Sequence, residues 1–225
     1  MKAILLATAM GATLLLTGCN TNKGNAAPEI DPNLTYDGLA KVKNAKVTAA
    51  WMRPDFTLAG YTKIMLQGAG IEYRPVKPVN RSTQSGASQF PVTAEQQARL
   101  RTIVSDAFRT ELAQSKNFQV VEEPGPDTLT IWGGLVDVVS YVPPDSIGRG
   151  NIYLNAVGEA TLVIEIRDSE SNAVLVRVVD RRAAQNQGVA RPSNSVTNWS
   201  EVQQLARSWA ARLRTSLDEA STWEK

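Results

Sequence analysis

The sequence predicts an α+β fold, with one mixed or antiparallel sheet of about five strands and two main helices packed on one of its faces. Three observations predict it. Residues 155–167 alternate between two sets of side chains over the length of a strand. Two segments, 94–115 and from Trp199 onward, carry apolar residues at helical spacing. The remaining apolar runs are short, rich in β-branched residues and bounded by Gly, Pro, Asn or Ser, as strands are.

The chain opens with Lys2, then the apolar stretches Ala3-Ile4-Leu5-Leu6-Ala7 and Leu14-Leu15-Leu16, and has no acidic residue before Cys19. A basic start, a short apolar run and small residues at its end describe an export signal over residues 1–18. A membrane-spanning helix needs about 20 apolar residues, and Asn20-Thr21-Asn22-Lys23 follow too soon. Leu16-Thr17-Gly18-Cys19 resembles the lipobox of bacterial lipoproteins. The resemblance implies that the thiol receives a diacylglyceryl group, the peptide bond before it is cut, and the new amine is acylated. Cys19 is then the lipidation site and the first residue of the mature chain. Residues 19–35, rich in Asn, Thr, Gly, Ala and Pro, read as a flexible tether, and residues 36–225 as one domain.

Within that domain, Trp51-Met52-Arg53-Pro54-Asp55-Phe56 reads as a turn, because Pro54 disfavours helix at Arg53. Tyr61 to Leu66 is the first strand, extended by Ile71 to Arg74 after a kink at Gly68 and Gly70. Pro75 to Pro91 is a long loop of Pro, Ser, Asn, Gln and Gly. A helix then starts at the capping box Thr93/Gln96, with Leu100, Ile103, Val104, Ala107, Phe108 and Leu112 on one face.

Phe118 to Val121 makes a short strand ended by Pro124-Gly125-Pro126. Leu129 to Val139 makes a longer one, with Gly133-Gly134 marking a bulge or a close backbone approach. The strand over 155–167 has small residues at its start and bulky ones at its end, and the turn 168–172 leads into Val174 to Val179 as a hairpin. The last helix runs from about Trp199, capped by Asn198 with Glu201 at its third position. Its apolar stripe is Trp199, Val202, Leu205, Ala206, Trp209, Leu213 and Leu217.

Composition excludes several chemistries. The 225 residues contain no His and one Cys, so His-based triads, His general bases and the usual transition-metal donors are missing. Removing residues 1–18 deletes one Lys and no acid, which lowers the formal charge from +2 to +1. Nothing there favours nucleic acid. Gly133, Gly134, Gly148 and Gly150 match neither a P-loop nor a dinucleotide fingerprint, since strands follow them rather than helices. Gly148-Arg149-Gly150 reads as a hinge.

The acidic pairs Glu122-Glu123 and Asp218-Glu219 read as solvated surface, because sequence neighbours do not converge across a cleft. Arg181-Arg182 is too small a cluster to attract a membrane. The Trp199/Trp209 stripe reads as core, and Trp223 either packs back on the domain or anchors a partner.

Several segments resemble an uncharacterised bacterial lipoprotein family, domain of unknown function 3313. They are Tyr36-Asp37-Gly38-Leu39, Arg53-Pro54-Asp55, Tyr61 to Leu66, the helix at 94–115 and Val120 to Leu129. The likeness spans about residues 35–220. More distantly, the order of helices and strands is similar to periplasmic domains related to the TolB N-terminal region, which is an analogy of fold alone.

The expected function is therefore a non-enzymatic binding or assembly factor of the cell envelope, with no catalytic, cofactor or metal residues assigned. Its expected partners are a membrane, reached through the N-terminal lipid, and an envelope protein or glycan, with no nucleic acid. In lipoprotein sorting of the enteric type, Asp after the lipidated Cys retains a protein in the inner membrane. Asn20 here implies the periplasmic face of the outer membrane. The rival class is an envelope hydrolase or transferase using carboxylates and Ser.

Overall fold

The computed structural model describes residues 28–76, 89–143, 152–185 and 191–223. The expected signal, Cys19, Gly148-Arg149-Gly150 and most of the expected loop at 75–91 lie outside the described residues. In chain order the elements are β1 (Ile30–Leu34), β2 (Ala40–Val42), β3 (Ala49–Met52), β4 (Lys63–Tyr73), α1 (Ala94–Leu112) and β5 (Gln119–Val121). They continue as β6 (Thr128–Ser140), β7 (Tyr153–Leu154), β8 (Ala156–Asp168), β9 (Val174–Gln185), β10 (Arg191–Pro192) and α2 (Ser195–Ala220).

The main sheet is mixed and has eight strands in the order β1-β2-β3-β9-β8-β6-β4-β5, more than the five expected. β4 pairs in parallel with β5 and β6, and every other neighbour in the sheet is antiparallel. β7 and β10 form a separate two-stranded ribbon.

The additional strands are β1, β2 and β3, a meander added to the free edge of β9. Residues 30–34, read from composition as the end of the tether, pair with β2, and Lys43 meets Glu29 at 2.6 Å across this hairpin. Met52, read as part of a turn, ends β3, and Arg53 N donates to Leu175 O at 2.9 Å. β9 also runs six residues past Val179, because its far half pairs with the start of β8.

Both helices start on capping boxes. In α1, Gln96 N donates to Thr93 Oγ1 at 3.2 Å and Thr93 N to Gln96 Oε1 at 2.9 Å, as the sequence suggests. α2 begins one turn earlier than expected. Val196 N and Thr197 N both donate to Asn194 Oδ1 at 3.0 Å, and Asn194 N donates to Thr197 Oγ1 at 3.2 Å. Asn198 instead donates from Nδ2 to Ser193 Oγ at 3.0 Å.

α1 and α2 run parallel along one face of the sheet. Arg99 lies over Trp199 near their N-terminal ends, Arg214 meets Glu111 at 3.5 Å farther along, and Ser115 donates to Asp218 at 2.6 Å at the far end. Between helices and sheet sit Phe108, Leu112, Trp209, Leu213 and Leu217 against Ile64, Leu129, Ile131, Leu162, Ile164 and Ile166. Each such side chain contributes about 1.5–3 kcal/mol when fully buried. Trp223 packs back on this core, edge-on to Phe56 with ring centroids 6.4 Å apart.

Candidate binding cavity

The same α+β layering leaves space at one end. β8 explains why. Its Leu162, Ile164 and Ile166 fill the layer between sheet and helices, but toward its start the positions are Gly158 and Ala160. Ala184 on β9 and Ala206 on α2 are also small, and together they leave a cavity of about 540 Å³. That is within the range of about 300–1,000 Å³ for small-molecule sites. Leu100 and Val104 of α1, Leu135 and Val138 of β6, and Val202, Leu205 and Trp209 of α2 wall it. Polar groups border it at the helix starts: Thr93, Gln96, Ser193, Asn194 and Asn198.

Gly158 is fixed by a close approach, since a Cβ there would lie 2.4 Å from Val139 O. That approach follows from a register shift in β6 between Val136 and Val139, where Asp137 takes a positive φ of 57°. The inner wall is held by Trp209, whose indole N–H donates to Asp180 Oδ2 at 2.9 Å. Asp180 is buried and also accepts from Arg182 Nε at 2.7 Å and Thr48 N at 3.3 Å.

The opposite face of the sheet is ionic. Arg74 and Arg181 each bridge Asp137 and Glu159, closing a ring of four charges, with Arg74 Nη2 3.0 Å from Glu159 and Arg181 Nη1 3.0 Å from Asp137. The Arg74 hydrogen bond holds the Asp137 carboxyl below its usual range. Burial would raise Glu159, but hydrogen bonds from Arg74 and Arg181 outweigh it and lower its pKa. A second network joins Asp37, Arg177, Glu165 and Arg167, and the Arg167 guanidinium lies 5.2 Å from the centre of the Trp132 ring. A second recess, of about 440 Å³, opens beside Trp132, whose Nε1 is buried without a hydrogen-bond partner among the described residues.

These placements reassign several residues singled out in the sequence. Arg181 and Arg182 point to opposite faces and both are ion-paired. Asp218 is no solvated acid: it accepts from Ser115 Oγ at 2.6 Å and Lys116 N at 3.2 Å, joining the C-terminal ends of the two helices. Glu122 and Glu123 stay at the end of β5. Arg53 Nε donates to Val174 O at 2.8 Å, at the start of β9, and so lies at the opposite end of the β8–β9 hairpin from the cavity. Trp199, read as core, is half-buried and borders the cavity, while Trp209 is core.

Among the described residues no group of three His, Cys, Asp or Glu is placed to hold a metal ion. Glu159 borders the cavity with its carboxylate held by two arginines. Sequence reasoning missed the cavity. The signal for it was the run of small residues at the start of an otherwise bulky strand.

The model of a family described as "Protein of unknown function (DUF3313)" matches residues 30–213. The chain belongs to this family. Among curated proteins no match is found. Similar solved structures include a PelC dodecamer from Paraburkholderia phytofirmans, at 11% identity and a TM-score of 0.37 over 78% of this chain and 98% of that one. A putative neuraminyllactose-binding hemagglutinin homolog from Helicobacter pylori has 8% identity and a TM-score of 0.39, over 72% of this chain and 88% of its own. A minor lipoprotein from Acinetobacter baumannii has 13% identity and a TM-score of 0.30, over 70% and 93%. Likenesses of this strength carry no functional argument. Among the described residues no helix is long and apolar enough to cross a membrane.

Proposed function

We propose that this DUF3313 protein is a lipid-anchored lipoprotein of the bacterial envelope, facing the periplasm, that binds another envelope component and performs no covalent chemistry on it. The observation that carries the binding reading is the cavity between α1, α2 and the sheet. Its walls are mostly apolar, and its polar groups are amides and hydroxyls apart from Glu159, a composition suited to holding a ligand. The carboxylates nearest to it are neutralised by arginine rather than poised as acid and base.

The anchor rests on Leu16-Thr17-Gly18-Cys19. From Cys19 to Ile30 the backbone spans at most about 40 Å, so an acylated Cys19 would keep the domain beside its membrane. Asn20 favours the outer membrane over the inner.

Two experiments test this. Cys19→Ser is expected to abolish metabolic labelling by an alkyne fatty acid and to release the protein from the membrane fraction. Unchanged labelling would overturn the anchor. For binding, a photo-crosslinking residue at Val202 in living cells is expected to capture an envelope protein, glycan or lipid, and capture of none of these removes the binding role.

A further inference from the structure

We propose that the cavity takes the hydrocarbon tail of a single-chain anionic amphiphile, with its headgroup at the mouth beside Arg99 and Trp199. This deepens the binding role proposed above and rests on it. A methylene needs about the room of a liquid water, about 30 Å³, so a cavity of about 540 Å³ accepts a tail of about fifteen to eighteen carbons. The inner walls are mainly hydrocarbon, with the amides and hydroxyls gathered at the helix starts. Leu100, Val104, Val202 and Leu205 present hydrocarbon, and the one inner indole N–H is already engaged by Asp180. A sugar or a peptide would leave its own polar groups unsatisfied there.

The mouth has the complementary sign. The Arg99 guanidinium lies 4.6 Å from the centre of the Trp199 ring, and it has no carboxylate within ion-pair distance among the described residues. Because α1 and α2 are parallel, their N-terminal ends, with their partial positive charge, face the same side. α2 has no acid in its first turn, and Glu201 in its second is buried and already engaged. Glu95 of α1 is the opposing charge in that helix's first turn. A headgroup with one negative charge therefore meets Arg99 as its nearest strong partner, and the tail follows the gap between the helices inward.

Fatty acids and lysophospholipids share this chemistry. The probes are palmitate, palmitoyl-lysophosphatidylglycerol and neutral monopalmitoylglycerol, read by displacement of cis-parinarate, which accepts energy from Trp199 and Trp209. The protein is the full 225-residue chain carrying Cys19→Ser, so that no covalent lipid competes. Binding of both anionic probes by this chain is expected to be saturable at one per chain. Ala160→Leu, which fills the inner end, should weaken it by about tenfold or more. Arg99→Glu should weaken both anionic probes by about fivefold or more while leaving the neutral probe within about twofold.

Should Ala160→Leu lose its cooperative thermal transition, Val202→Trp at the mouth takes its place. Tighter binding of either anionic probe over the other supports the inference and assigns the source of the tail. Three results overturn it: no saturable binding by the unfilled protein, equal binding by the filled variant, or no effect of Arg99→Glu. If the amphiphiles fail while a crosslinker at Val202 captures an envelope protein or glycan, this inference falls and the broader binding role stands.

Discussion

Trp209 in α2 donates its indole N–H to the buried carboxylate of Asp180 in β9 at 2.9 Å, fastening the helix to the sheet between two strand-paired segments. The same carboxylate holds Arg182 and the backbone N–H of Thr48, so one side chain joins β9, α2 and the turn before β3. Asp180→Ala leaves three donors short of a partner and is expected to cost about 3–5 kcal/mol. Trp209→Phe removes one bond and should cost about 1–3 kcal/mol. Urea denaturation measures both, and losses below about 0.5 kcal/mol would show that Asp180 is not structural.

Gly158 and Gly133 make a matched pair on neighbouring strands. A Cβ on Gly158 meets Val139 O at 2.4 Å, whereas one on Gly133 meets nothing within 4 Å. Gly158→Ala is expected to destabilise by about 3 kcal/mol or more, because two backbones must part. Gly133→Ala should stay within about 0.5 kcal/mol of the parent, or gain slightly from reduced unfolded-state entropy. Equal thermal midpoints for the two variants would refute the close approach.

The ionic face fixes the acid response. Asp137 is held below 3.8 chiefly by the Arg74 hydrogen bond, and Glu159 and Glu165 lie below 4.5 because their arginine partners outweigh burial. Groups whose folded pKa is depressed contribute stability that is fully present above the unfolded value and lost as pH falls through the folded one. Stability is therefore expected to hold down to about pH 5 and to decline below about pH 4.5. Asp137→Asn keeps a residue that tolerates the positive φ while removing the charge, so its acid decline should be shallower than the parent's. Partial exposure keeps each pair's contribution small. An unchanged slope in acid titration would count against the ring.

Tyr61 sets the alkaline side. Burial first, and its hydrogen bond to Asp168 second, push its phenol up to about 12. The folded state thus favours the neutral phenol. This contribution is complete below the ordinary value of 10.0 and lost as pH rises from there through about 12. Phenolate absorbance should show a tyrosine titrating late, and Tyr61→Phe should remove that late step. Burial also raises Tyr73 and Tyr141, so the test is the last step, near pH 12, and a parent chain without it would refute the burial of Tyr61.

Much of the fold is legible because it is written locally. α1 has its periodicity and a complete capping box within a few residues, and β8 alternates over its own length. β1, β2 and β3 have no such pattern: Asp31, Pro32, Asn33 and Lys41 are poor strand formers, and these segments are extended because β9 offers a free edge. The start of α2 reads one turn late, at Asn198, because the cap that forms is Asn194, where Thr197 reciprocates the bond. The cavity was least legible. It is an absence of side-chain volume contributed by Gly158, Ala160, Ala184 and Ala206, residues that meet only through tertiary packing.

β1 is the outermost strand on its side of the sheet, and the chain enters the fold through it. Tension arriving from the N-terminal side is therefore applied to the β1–β2 hairpin, where hydrogen bonds break one after another rather than all at once. The helices lie over β9, β8 and β4, behind β2 and β3. Mechanically the meander is a sacrificial hem: a tug can unpick it and let it re-form while the helix-covered body keeps its shape.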